Sequence, residues 1–190
     1  MKKHVLGPVL AALAAFFVGF FVWGLPHHLP YKALGTVADD SATALAIGKL
    51  LPASGAYLLP NPLLGEARMK ELSARGPMVE VNIRKEGFNE ADMGKTMATG
   101  YVHLLVLSVA LSFILCGLEK AFVCWTCRVK FCAAIGLIVA TFELGNAIWW
   151  HHGLGWTLAR AVYDLLVFVV IGLVLAKFVT PKPAPAAPAA

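Results

Sequence analysis

Four long stretches of this chain carry almost no charged side chains, and the segments between them alternate apolar and polar residues at shorter periods. The first stretch, residues 5–25, is uncharged and is ended by Pro26 and Pro30. The second covers 97–118, the third 129–149 and the fourth 156–178, where Arg160 and Asp164 are the only charges before Lys177. A helix of about 20 apolar residues crosses the hydrocarbon core of a bilayer, and each stretch has that length. The pattern therefore predicts an α-helical integral membrane protein with four transmembrane helices. Residues 1–25 form the first and residues 97–178 the other three. The first run exceeds the ~7–15-residue apolar core of a signal peptide, and no small-residue cleavage site follows it, so it reads as an uncleaved signal anchor.

The remaining 26–96 segment has soluble character. It predicts a small extracytoplasmic α/β insertion between the first two spans, in the order helix, strand, helix, strand. Asp39-Asp40-Ser41 offers a helix N-cap before 42–51, and Pro52 stops that helix. Residues 54–59 read as a strand ended by Pro60-Asn61-Pro62. Residues 64–74 form an amphipathic helix with Gly76 as its C-cap. Residues 78–84 (Met-Val-Glu-Val-Asn-Ile-Arg) alternate with the strand period. Asn89 or Glu90 then caps the second span. Whether the two strands pair parallel or antiparallel is open, because a crossover helix and a looser return both fit. So small an insertion has a marginal core and is expected to lean on the membrane helices or on a partner. The Pro/Ala-rich tail, 179–190, is expected to be extended and disordered.

Composition supports the membrane reading: of 190 residues, 59% are hydrophobic and 14% charged, which leaves too little polar surface for a soluble domain. Charge fixes the orientation. Lys2 and Lys3 precede the first run, Lys120, Arg128 and Lys130 lie between the second and third, and Lys177 and Lys182 end the fourth. The short His151-to-Gly155 connection has no Lys or Arg. The positive-inside rule then places both termini in the cytoplasm and residues 26–96 outside. The net charge of +5 is scattered over helix ends and one loop, which excludes a nucleic-acid-binding stripe.

Three groups of residues are candidates for chemistry. His103, Glu143, Asn146, Arg160 and Asp164 fall at similar depths on three helices, at ~6–12 Å below the nearer surface by the helical rise. Such groups are costly in lipid and are expected to face the bundle interior, as an ion-pair staple in which Arg160 bridges Glu143 and Asp164, or as a proton, ion or quinone site. His27, His28, His151 and His152 cluster at the same face and form a candidate metal set for copper, zinc or haem iron, since imidazole serves all three. Polar aromatic side chains also favour the interface for its own sake, as Trp149, Trp150 and Trp156 do. Cys124-Trp125-Thr126-Cys127 has the spacing of redox and zinc motifs, but no strand precedes it and it is placed on the cytoplasmic side. Both thiols are expected to remain reduced there. No phosphate-binding loop, nucleophile elbow, zinc-protease helix or Gly-x-x-x-Gly occurs in the expected context.

The Trp23-Gly24-Leu25-Pro26-His27-His28 turn, the Ser54-to-Pro60 segment (Ser-Gly-x-Tyr-Leu-Leu-Pro), the Trp149-Trp150 hairpin and the Thr157-Leu158 to Asp164-Leu165 helix together resemble an uncharacterised family of small bacterial four-helix inner-membrane proteins. The resemblance covers the chain apart from its tail. It implies the same topology in the bacterial inner membrane and brings no activity or cofactor. The Cys124–Cys132 cluster and His152 depart from the family pattern. Small size, missing catalytic motifs, a marginal insertion and a free tail lead to the expectation of a non-catalytic accessory or assembly subunit, whose partners are the bilayer and other subunits of an inner-membrane complex, respiratory or photosynthetic. Two alternatives are a redox protein that binds metal, haem or quinone through its histidines, and a small proton- or ion-coupled transporter.

Overall fold

The computed structural model describes residues 2–24 and 30–179. The expected site residues His27 and His28, and all but the first residue of the tail, lie outside the described residues. Two compact units are present, one made of Met1–Leu34 with Gly94–Ala190 and the other of Gly35–Met93.

Among the described residues, the larger unit holds four helices long and apolar enough to cross a membrane. They are α1 (Lys2–Gly19, continued by a widened π-helical turn, Phe20–Gly24), α4 (Glu90–Gly117), α5 (Trp125–Trp149) and α6 (Leu154–Phe178). Helices gain little from the hydrophobic effect when their alternative neighbour is lipid, so close backbone approach at small residues has to hold them together. That is how α6 is gripped on both sides. Gly136 of α5 lies against Phe168, and a methyl group added there would come within 2.6 Å of the Phe168 Cβ. Gly172 of α6 lies equally close to the Cys132 Cβ. These two contacts make α5 and α6 antiparallel. On the other side Gly7 meets Phe178 and Gly19 meets the Tyr163 hydroxyl, so α1 also runs antiparallel to α6. The fully buried Ala11, Ala12 and Ala15 give α1 a thin inner face. Helix α4 joins through larger side chains: Leu104, Leu111 and Leu115 enter the common core with Ile171 and Leu175. The Tyr101 ring packs edge-on against Phe16 at 6.2 Å, and its hydroxyl donates to the Val9 carbonyl at 3.4 Å. The antiparallel pairs bring the start of α1, the start of α5 and the end of α6 to one end of the bundle. This is the grouping of basic residues that the sequence pattern required. No Gly-x-x-x-Gly is needed, because single glycines face Phe168 and Cys132 rather than one another.

Helix α4 begins seven residues before the apolar run. Asn89 caps it: its Oδ1 accepts from the Asp92 N–H at 3.0 Å, while Asp92 Oδ2 accepts from the Asn89 N–H at 3.2 Å. This reciprocal pair is a capping box, and it lets the polar turn from Glu90 to Thr96 stay helical. Helix α5 likewise starts four residues earlier than its apolar run, which places Cys127 and Arg128 in its first turn.

The smaller unit follows the expected order: α2 (Asp40–Leu50), β1 (Gly55–Leu59), a 3-10 turn (Pro62–Leu64), α3 (Glu66–Arg75) and β2 (Val79–Ile83). Asp39 caps α2 by accepting from the Ala42 N–H at 2.8 Å. Gly76 ends α3 in the left-handed region at φ 61°. The strands pair antiparallel with Tyr57 opposite Val81, which closes the question of their direction. A clasp fastens the open end of the ribbon. The Ser54 hydroxyl donates to the Glu86 carboxylate and accepts from the Lys85 N–H at 2.9 Å. Lys85 Nζ reaches back to the Leu51 carbonyl at 2.9 Å. Hydrogen bonds carry this unit because its core is nearly absent: Leu51 and Pro60 are its only buried residues.

Candidate functional site

Two places in the larger unit concentrate polar chemistry, one at each end of the α5–α6 pair. At the hairpin end, α5 runs out through Trp149 and the chain reverses over Trp150 to Gly153. The Asn146 carbonyl accepts from both the Trp150 and His152 N–H groups, at 3.1 and 3.2 Å. His151 makes the reversal with φ 55°, a left-handed conformation that a side chain disfavours. One turn deeper on α5, the Asn146 side-chain amide donates to Glu143 Oε2 at 3.0 Å. Arg160 of α6 places its Nε 3.0 Å from Glu143 Oε1. The Glu143 side chain is 13% exposed and that of Arg160 40%, so the pair is a half-sheltered staple between the helices.

The structure thus brings together Glu143, Asn146 and Arg160 of the polar layer. Asp164 stands one turn further along α6, and among the described residues no ion pair joins it to Arg160, so the expected bridge across both acids reduces to one arm. His103 does not join the layer. It lies on an exposed face of α4, and no hydrogen bond or ion pair links it to the other four. The periodicity of α4 explains this, since Leu104, Ser108, Leu111 and Leu115 form the buried stripe and His103 falls beside it. Nor do the described histidines converge: no three His, Cys, Asp or Glu side chains approach a common point among the described residues.

Aromatic packing around this end was not expected from the sequence. Trp23, carried inward by the π-helical turn, stacks edge-on with Tyr31, Trp156 and Tyr163 at 5.9, 5.6 and 5.4 Å. The Trp residues alone were legible as interface residues; their convergence joins positions distant in the chain. Alongside, Ile138, Phe142, Asn146, Trp149 and Trp150 line a shallow groove of about 620 Å³ on the side of α5 away from α6.

At the other end the structure differs from the expectation of reduced thiols. Cys124 and Cys127 form a disulfide. Cys124 is exposed and is the N-cap of α5, and its Sγ accepts from the Cys127 N–H at 3.0 Å. Thr126 Oγ1 lies 3.2 Å from the same sulfur. Behind this turn sits Arg128, 3% exposed. Its guanidinium donates to the Phe122 and Val123 carbonyls at 2.9 and 3.1 Å and to the Ala176 carbonyl of α6 at 3.2 Å. Sequence reading counted Arg128 as a loop cation. Burial was not legible because it depends on the α6 carbonyl that the third bond uses. Cys132 is buried against Gly172, and Cys116 is half-buried.

Comparison with known protein families, curated proteins and solved structures finds no match to this chain, so the family resemblance rests on the quoted motifs.

Proposed function

We propose that this chain is a multi-pass protein of the bacterial cytoplasmic membrane and serves as a non-catalytic accessory or assembly subunit of a larger membrane complex. In this reading residues 26–96 are extracytoplasmic and both termini are cytoplasmic. One observation carries it: the smaller unit leaves its apolar side chains uncovered. Leu63 is 92% exposed, Leu50 80% and Leu45 61%, and Phe88 and Met78 are each 52% exposed. Covering one such side chain is worth about 1.5–3 kcal/mol. A two-stranded ribbon with almost no core is marginal in water and gains most from a neighbour that supplies that cover. Exposed apolar patches of this kind mark interaction surfaces. The Glu143–Arg160 contact supports the companion view that the polar layer staples the bundle.

The test is a photo-crosslinker at Leu63, and separately at Phe88, in the native membrane, followed by mild-detergent purification. Crosslinks to one stoichiometric membrane protein are expected. Crosslinks confined to the chain itself would end the accessory-subunit reading.

A further inference from the structure

The Cys124–Cys127 disulfide closes the turn at the start of α5. The residues just before it are held by two guanidinium bonds from Arg128, to the Phe122 and Val123 carbonyls, and α5 starts directly after Cys124. Its two residues differ in exposure, with Cys124 exposed and Cys127 half-buried. The exposed sulfur sits where a helix N-terminus concentrates positive potential, and it receives the Cys127 N–H. Arg128, one turn further along α5, is buried and permanently charged, and its Nε has no hydrogen-bond partner among the described residues. Each of these favours a thiolate at Cys124 once the bond is opened, and thiolate character is what makes a cysteine reactive. We propose that Cys124 and Cys127 are a thiol–disulfide exchange site acting on dithiols. This does not depend on the accessory-subunit reading.

The exchange runs in two displacements. A thiolate of the partner dithiol attacks Cys124 Sγ, the Cys124–Cys127 bond breaks, and Cys127 leaves as a thiolate that takes up a proton. The partner's second thiolate then attacks its own sulfur in the mixed disulfide, and Cys124 leaves as the stabilised thiolate. Two electrons pass to the cysteine pair and the partner departs as a disulfide. The reverse sequence oxidises the pair. Arg128 touches neither sulfur in this scheme and is a positioning residue. Cys116 and Cys132 take no part.

The experiment uses the full-length protein in detergent, reduced and then freed of reductant, with glutathione disulfide as the probe at pH 7. Mass spectrometry follows each cysteine, and the unstructured peptide Cys-Trp-Thr-Cys serves as comparator. Cys124 is expected to react about tenfold faster than the peptide thiols. Two glutathione molecules should be released per chain, leaving the Cys124–Cys127 disulfide without a lasting adduct. In Cys127→Ser the reaction should halt at a glutathione adduct on Cys124. A Cys124 rate equal to that of the peptide, or an adduct that persists in the unsubstituted protein, would overturn the proposal. The first outcome says that the fold does not activate the sulfur, the second that Cys127 does not resolve it.

Discussion

His151 shows how a residue with attractive chemistry is explained by its backbone. A histidine beside another histidine at an interface suggests a ligand, yet the φ of 55° makes this position a turn hinge first. A left-handed residue other than glycine costs on the order of 1 kcal/mol, and glycine removes that cost. His151→Gly is therefore expected to leave the melting temperature in detergent unchanged or to raise it. A clear fall would show that the imidazole has a binding or packing role. Glu86 is a second residue whose environment sets its behaviour. The Ser54 hydroxyl donates to its carboxylate and holds it below the ordinary carboxyl value of 4.5. A lowered folded value means that the clasp stabilises above the unfolded value and is lost as pH falls through the folded one. Titration of the Glu86 carboxyl by carbon NMR should place its midpoint below 4.5, and Ser54→Ala should move it upward.

Among the elements, α6 organises the bundle, because both α1 and α5 pack against it at glycines. Gly172 is one of the two closest approaches, with Gly136: a Cβ there would sit 2.6 Å from the Cys132 Cβ, which is too near its own backbone to swing aside. Overpacking at a fixed contact costs about 1–3 kcal/mol. Gly172→Ala should thus lower the unfolding midpoint in detergent, whereas Gly117→Ala, with nothing within 4 Å, should not. Neither role was visible in the sequence, where the glycines show no repeating motif. Helix starts, in contrast, were legible at Asp39 and Asn89, because a cap is a local bond between residues three apart. Strand existence was legible from alternation. Strand direction was not, since it depends on how residues 60–78 return the chain.

At the scale of the molecule, two units of different character share one chain. The larger is held by a continuous core from Ala11 and Leu104 to Ile171 and Leu175, while the smaller is held by caps, a ribbon and the Ser54 clasp. Residues 35–93 made alone should therefore show no cooperative unfolding transition by circular dichroism, and a sharp transition would mean that their exposed leucines need no cover. Sequence by itself determined the four apolar helices, their order, the capped helices of the insertion and the common end of the basic residues. Those features depend on composition, period and neighbours close in the chain. Tertiary structure alone decided that His103 lies outside the polar layer, that Arg160 takes Glu143 as its partner, that Trp23 reaches Trp156, and that Arg128 is buried behind the Cys124–Cys127 disulfide. Each is a contact between residues distant in sequence, or a rotation of a few tens of degrees about a helix axis, and hydrophobicity along the chain encodes neither.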